Sequence, residues 1–271
     1  MSREWTGGTY TQPGDPLRYD KRIQALAETW PDPATYRPLR ITLITDTAVG
    51  GYDPLHLDSL LTRGIINLVV GGRGLMRSEQ AYWLPLPLRC LWRHPQTRLP
   101  LWASTDFAPV GVQAKGIAPW HRYQPPSRLM ASPKGRPYAP RAGTGPEKVM
   151  DIPLPVVAAE GWQADCVGDA EAIQPLLAAL GSHVGKKRSQ GWGAVREWRV
   201  EPLDRFTLRD EEGRLRRPIP INALWSDRVP LDAVLAGWTP PYWPGVVGTQ
   251  AICVAPGSVA DVPADWEMEY D

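Results

Sequence analysis

Cysteine and phenylalanine are scarce in this sequence. Its 271 residues include three Cys and two Phe. The thiols, Cys90, Cys166 and Cys253, are far apart, form no C-x-x-C pair and have no histidine placed to complete a zinc site. A chain of this length can bury a full core without covalent staples. We therefore expect reduced thiols in a cytoplasmic protein with no metal and no cofactor.

Long apolar runs are also missing. Residues 1–20 mix Trp, Gly, Pro and charged residues, so no signal peptide is supported. No later segment is long and apolar enough to span a membrane. We expect a soluble, intracellular protein with no membrane partner.

The net charge of +1 hides an uneven distribution. Between Lys115 and Met150 the only acid is Glu147, against seven basic residues. Residues 185–200 carry five basic residues against one acid. Acids collect at the other end, which predicts a solvated tail or a contact with a basic neighbour: Asp261, Asp265, Glu267, Glu269 and Asp271. Two basic zones favour a subunit that holds a polyanion.

Proline and tryptophan are abundant, at 30 and 13 residues. Proline breaks long helices and implies many ordered loops. Tryptophan can serve as core, stacking platform or interface anchor. We interpret most of these residues as core and loop packing.

Hydrophobic periodicity predicts an α/β fold. A strand is expected over 37–47, an amphipathic helix over 56–70, a strand over 156–167, a helix over 170–180 with Asp169 as N-cap, and a strand over 194–200. This order fits one or two ferredoxin-like folds.

The predicted division is an N-terminal extension over 1–36, a main domain over 37–215 and a proline-rich, strand-containing region with the acidic tail over 216–271. Within the main domain, residues 109–155 are predicted to be an irregular, basic insertion.

The segment Gly185-Lys-Lys-Arg-Ser-Gln-Gly-Trp-Gly-Ala-Val195 lies between the second helix and the strand after it. Its glycines would let backbone N–H groups approach a phosphate, its cations supply charge, and Trp192 offers a face for a base. The segment is not a phosphate-binding P-loop, because a P-loop follows a strand and precedes a helix. It is not a dinucleotide-binding motif either, because that motif also follows a strand. The alternative interpretation is a tight turn with solvated lysines.

This segment, followed by Trp198-Arg-Val-Glu201, resembles the signature glycine-rich loop of the CRISPR-associated RAMP superfamily. Members of that superfamily are built on ferredoxin-like folds and bind guide RNA. Three further features resemble the Cas five-like subunit of type IV CRISPR effector complexes: the strand 39–45 followed by 52–61, the stretch 147–157, and the helix entry 168–177. The resemblance covers roughly residues 37–202.

The resemblance implies a non-catalytic, RNA-binding subunit of a CRISPR ribonucleoprotein. Such a subunit caps the 5′ handle of the CRISPR RNA, contacts the backbone and large subunits, and lies near target DNA at the protospacer-adjacent motif. The implied RNA-contacting loop consists of Gly185, Lys186, Lys187, Arg188, Ser189, Gln190, Gly191, Trp192 and Gly193. The insertion lies where such proteins carry a thumb, which adds as candidates Trp120, Arg122, Tyr123, Lys134, Arg136 and Arg141.

Two other function classes stay open at this point. Some RAMP proteins cleave precursor CRISPR RNA without metal, using a general base that is often histidine. The candidate bases here are His121, His183 and His56, of which His56 at a helix start is more typical of a packed or capping residue. A protein-interaction module would explain the many Trp and Pro residues but not the two basic zones.

Overall fold

The protein has a mixed α/β fold, built mainly from antiparallel strands. The structure is a computed structural model that describes residues 21–51, 54–70, 84–122, 150–224, 233–240, 242 and 249–269. Its α-helices are α1 (Lys21–Glu28), α2 (Leu57–Ile65) and α3 (Ala170–Ala178). Its strands are β1 (Arg37–Thr45), β2 (Val49–Gly50), β3 (Cys90–Arg93), β4 (Pro100–Trp102), β5 (Ala108–Arg122), β6 (Met150–Gly168), β7 (Val195–Pro202), β8 (Arg205–Phe206), β9 (Ile219–Pro220), β10 (Ala233–Gly237), β11 (Gln250–Val254) and β12 (Met268–Glu269). No helix among the described residues is long and apolar enough to cross a membrane.

The main sheet is centred on β1, as the alternating pattern of this segment predicts. Leu39, Ile41 and Leu43 are almost fully buried on one face. The sheet order is β2-β6-β1-β7, with β5 paired to β6, and every pairing is antiparallel. In chain order the elements β1, α2, β5, β6, α3 and β7 therefore alternate as β-α-β-β-α-β around one sheet.

Helices α2 and α3 pack closely against each other and against the same core. Gly64 lies where a Cβ would come within 2.3 Å of the Leu176 carbonyl oxygen, so a side chain at this position is excluded by the backbone of α3. Asp169 caps α3 as predicted, because its carboxylate accepts a 2.7 Å hydrogen bond from the Ala172 N–H. Ile23 of α1 is buried in this core, so the predicted N-terminal extension contributes to the fold.

The amphipathic helix predicted over 56–70 has Leu57, Leu61, Ile65 and Leu68 on its apolar side, and this prediction is wrong at Leu68. Leu57, Leu61 and Ile65 are fully buried, but Leu68 is 49% exposed. A π-helical turn over Ile66–Val70 follows α2 and widens the helix. The wider turn places Ile66 in the core and rotates Leu68 out of the buried face.

The prediction of an irregular segment over 109–155 is wrong for the parts that the structure describes. β5 has 15 residues and β6 has 19, and they pair from Ala108 opposite Gln163 to Arg122 opposite Met150. Cross-strand pairing overrides the proline and glycine content, which had favoured loops. We call residues 117–122 and 150–155 the arm, because they extend past the residues of β6 that pair with β2.

A second hydrophobic cluster gathers the C-terminal strands. It contains Trp238, Phe206 and Trp266, and also Leu99 and Leu101 from the β3–β4 segment. The chain therefore contributes to it from both halves of the sequence.

Part of the acidic tail folds back onto this cluster. Glu267 receives hydrogen bonds from the Arg209 guanidinium at 2.8 and 2.9 Å, and β12 pairs with β8. Of the two interpretations of the tail, the contact with a basic neighbour is the one observed for this residue.

Arg217 connects the core of the main sheet to the second hydrophobic cluster. Its side chain is 1% exposed and donates hydrogen bonds to the Asp58 carboxylate in α2, at 3.0 Å, and to the Trp238 carbonyl, at 2.8 Å. It also donates to the backbone oxygens of Trp102 and Ser104. Burial alone would lower the pKa of Arg217, but nearby Tyr242 and Asp58 hold it above its ordinary value.

Candidate functional site

The glycine-rich loop, residues 185–193, connects the end of the α3 segment to β7, as predicted. A single 3-10 turn, Arg188–Gln190, forms its tip. Positive φ angles occur at Gly185 (78°), Gly191 (86°) and Gly193 (67°), and also at Lys187 (59°). A side chain in the left-handed region costs about 1–2 kcal/mol. Strain of this kind at Lys187 is typical of functional loops.

The base of the loop is fixed by hydrogen bonds to residues 47–50. The Lys186 N–H donates to the Gly50 carbonyl at 2.7 Å, and the Gly193 N–H donates to the Ala48 carbonyl at 2.9 Å. The Thr47 hydroxyl donates to the Gly191 carbonyl at 2.7 Å. The loop is therefore held in one conformation, in which Lys186 and Arg188 are exposed and Lys187 is partly buried.

The role predicted for the glycine amides needs correction. The Gly193 N–H is already donated to Ala48, and the Gly191 N–H is donated to the Arg188 carbonyl at 3.0 Å. Because a bonded N–H is satisfied within the protein, these two amides are not free to bind a phosphate. The glycines are required for backbone conformation and close packing instead.

The close packing is specific to two of the three glycines. A Cβ at Gly193 would lie 2.1 Å from the Val184 carbonyl oxygen, and one at Gly185 would lie 2.7 Å from the Gly50 carbonyl oxygen. A Cβ at Gly191 would meet nothing within 4 Å. Only the backbone angle requires glycine at that position.

A cleft of about 990 Å³ lies beside the loop. One wall comes from α2 and the segment before it, another from the loop, and a third from β10, β11 and Tyr242. Among the described residues that line it, the basic ones are Arg63, Lys186 and Arg188, with His56 and His183 as further titratable groups. No carboxylate lines the described part of the cleft. The electrostatic character of the cleft therefore favours an anion.

His56 is held by two neighbours on the cleft wall. Its Nδ1 lies 2.6 Å from the Asp106 carboxylate, and its ring stacks on Tyr242 with centroids 3.6 Å apart and an interplanar angle of 10°. The Tyr242 hydroxyl donates to Asp58 at 2.9 Å, and burial raises the pKa of this phenol well above its ordinary value. The capping role considered for His56 is not observed, because its side chain makes no cap hydrogen bond to α2.

The other candidate histidines differ in their placement. His183 also lines the cleft, and its Nδ1 lies 2.9 Å from the Ser182 hydroxyl. His121 lies near the end of β5, opposite Asp151, in the arm. The structure thus brings two of the three candidate bases to the cleft.

The predicted thumb residues do not all fall within the described chain. Trp120 and Arg122 belong to β5, opposite Ile152 and Met150 in the arm. The remaining predicted residues lie outside the described residues: Tyr123, Lys134, Arg136 and Arg141.

Sequence reasoning missed Arg63, Asp106 and Tyr242. Arg63 follows His56 by seven residues, which places both on one face of a helix, so the spacing could have indicated it. Tyr242 is 184 residues from the carboxylate it contacts, and no local signal predicts such a pair. Within the described segments no group of three His, Cys, Asp or Glu side chains could hold a metal ion.

These features can be compared with those of known protein families. A helix, a basic glycine-rich loop and a strand lie in the order found in the CRISPR-associated resemblance, and a family comparison finds a similarity to type IV CRISPR-associated proteins over nearly half of the chain. In particular, residues 124–253 match the family described as CRISPR type IV associated protein Csf3, which is Cas five-like in type IV systems. The predicted resemblance is thereby confirmed, and no curated protein matches the chain.

Proposed function

We propose that this chain is the RNA-binding subunit that caps the 5′ handle of the CRISPR RNA in a type IV effector complex. The observation that carries the proposal is the glycine-rich loop, which projects Lys186 and Arg188 into solvent beside an anion-favouring cleft. A loop held in one conformation loses little entropy when it binds, so its cations are arranged for a phosphate backbone in advance.

The fold supports the same proposal. A β-α-β-β-α-β order around an antiparallel sheet in which β1 lies between β6 and β7, with β5 outside β6, is the arrangement expected of a ferredoxin-like RAMP domain. In such a subunit the arm and residues 123–149 would act as the thumb. We propose as further partners the backbone subunit, the large subunit and target DNA near the protospacer-adjacent motif.

The test is binding of a labelled CRISPR repeat RNA to the full chain as a function of salt. Replacing Lys186, Lys187 and Arg188 together by Ala should weaken binding about a hundredfold, taking about 1 kcal/mol for each exposed charge-assisted contact. The slope of log affinity against log salt should fall by about 2, since each phosphate contact on a single strand contributes about 0.7.

The matched control replaces three exposed arginines outside both basic zones, Arg98, Arg205 and Arg214, and removes the same charge. Exposed ion pairs such as Arg205 to Glu269 contribute little to stability, so this variant should fold normally. If both triple variants lose the same affinity and slope, binding is non-specific and the loop proposal is wrong.

A metal-independent endoribonuclease is the second candidate, and one observation favours it. The contact with Asp106 fixes the orientation of the His56 ring in the cleft that contains Lys186 and Arg188, which is the geometry of a positioned general base near cations. A denaturing gel of the same samples, run without metal, separates the two functions. A discrete cut that disappears in His56→Ala would assign the nuclease, whereas a shifted, intact RNA supports the capping subunit. Neither a shift nor a cut would contradict both and favour a protein-interaction module.

A further inference from the structure

Arg63 occupies an unusual position on the wall of the cleft. It lies in the last turn of α2 and is half-buried. Its Nε is buried and has no hydrogen-bond partner among the described residues. An unpaired buried donor costs about 1–3 kcal/mol, so its retention needs an explanation such as a missing ligand.

A second cation, Arg188, lines the same cleft as Arg63 and acts on it electrostatically. Burial lowers the pKa of Arg63, and the Arg188 guanidinium lowers it further. Among the described residues neither arginine forms an ion pair, and the described cleft lining holds no carboxylate that could separate them. An anion between the two guanidiniums would satisfy the Nε donor and remove the repulsion at once.

An aromatic pair also lines the cleft. The His56 ring, whose side chain is 11% exposed, stacks on the ring of Tyr242, and both residues line the cleft together with Arg63 and Arg188. The pair is therefore a candidate stacking platform. Stacking of a nucleobase on such a platform contributes about 1–3 kcal/mol and tolerates any base. The cleft volume of about 990 Å³ lies at the upper end of the range of small-ligand pockets, about 300–1,000 Å³.

We propose that the cleft is a nucleotide pocket in which Arg63 and Arg188 hold a phosphate and the His56–Tyr242 pair stacks on the base. The ligand is a nucleoside phosphate, which could be a free nucleotide or one nucleotide of an RNA chain. Assigning that nucleotide to bound RNA rests on the proposed function, whereas the pocket itself does not. Arg63 is then an RNA-contacting residue outside the glycine-rich loop.

The test titrates adenosine 5′-monophosphate, adenosine and inorganic phosphate into the full chain by isothermal titration calorimetry. Arg63→Gln should weaken the monophosphate about tenfold or more, the effect of losing a charge-assisted hydrogen bond, and leave adenosine unchanged. His56→Ala should weaken both nucleoside and nucleotide. Arg214→Ala, which removes an exposed charge away from the cleft, is the control and should change neither.

Thermal melts of each variant establish that the folded chain is being compared. Arg63→Lys, which keeps a cation, should recover part of the monophosphate affinity if charge is what the site supplies. An unchanged affinity in Arg63→Gln, equal losses for adenosine and its monophosphate, or no binding of the monophosphate to the unsubstituted chain would overturn the pocket.

Competition with the repeat RNA distinguishes the two sources of the nucleotide. Stoichiometric release of the monophosphate by the RNA supports an RNA nucleotide in the cleft, whereas simultaneous binding overturns that assignment. If the pocket proposal is wrong but the chain binds RNA, Arg63→Gln should leave RNA binding intact, whereas the triple alanine variant of the glycine-rich loop should lose it. Failure of the proposed function is recognisable because the monophosphate would bind through Arg63 in a chain that does not bind RNA.

Discussion

Replacing Arg217 by Ala is expected to lower the free energy of unfolding by about 3–5 kcal/mol, the range found when one partner of a buried ion pair is removed. The change leaves the Asp58 carboxylate 1% exposed with no cationic partner. It also removes one hydrogen bond to each of the Trp102, Ser104 and Trp238 carbonyls. Urea unfolding followed by tryptophan fluorescence measures the effect.

The double variant Arg217→Met with Asp58→Leu separates charge from packing. Removing both charges leaves no uncompensated ion, so the double variant should be less destabilised than the sum of the two single variants. Arg214→Ala should change stability by less than about 0.5 kcal/mol, as surface substitutions do. A loss below about 1 kcal/mol in Arg217→Ala would contradict the role of this side chain in joining the two hydrophobic clusters.

The second large effect is expected in the glycine-rich loop. Gly193→Ala should cost about 1–2 kcal/mol for its positive φ, and about 1–3 kcal/mol more because the new Cβ overlaps the Val184 carbonyl oxygen. Gly191→Ala has the same backbone strain but open space around it, so it should show only the first contribution. The difference in stability between the two variants therefore measures the cost of the contact with the Val184 carbonyl.

Urea unfolding of both variants gives their stabilities, and the RNA gel shift gives their binding. Gly193→Ala should lose RNA affinity as well as stability, because the loop can no longer be held against Ala48. Gly191→Ala should keep most of its affinity. Equal losses of stability in the two variants would show that strain, not the contact with Val184, determines the requirement for glycine.

The parts of the fold that follow from local signals were predictable from the sequence. The alternation over 37–45, the Asp169 cap and the position of the glycine-rich loop between a helix and a strand all depend on neighbouring residues, and all are observed. The pairing of β5 with β6 was not predicted, because long-range ladder hydrogen bonds override the loop-forming tendency of proline and glycine.

The candidate site was also predictable only where it depends on neighbouring residues. The loop and its cations follow from a contiguous motif, and two of three candidate histidines lie in the cleft. Asp106 and Tyr242 reach the cleft from distant parts of the chain, and only the folded structure places them beside His56. The sequence also could not indicate that the Gly193 amide is used within the protein, since that depends on the position of Ala48 in the fold.

The continuous strand β6 also constrains how relatives of this chain can vary in length. One end of β6 pairs with β1 in the central sheet and the other end pairs only with β5 in the arm. At about 3.3 Å per residue, the six residues 150–155 carry the arm about 20 Å past the sheet. Because adjacent residues of a strand face opposite sides, inserting or deleting one residue between the two ends would turn the arm's faces over relative to the core. Evolutionary changes in length should therefore accumulate between positions 123 and 149 and be rare within 150–168.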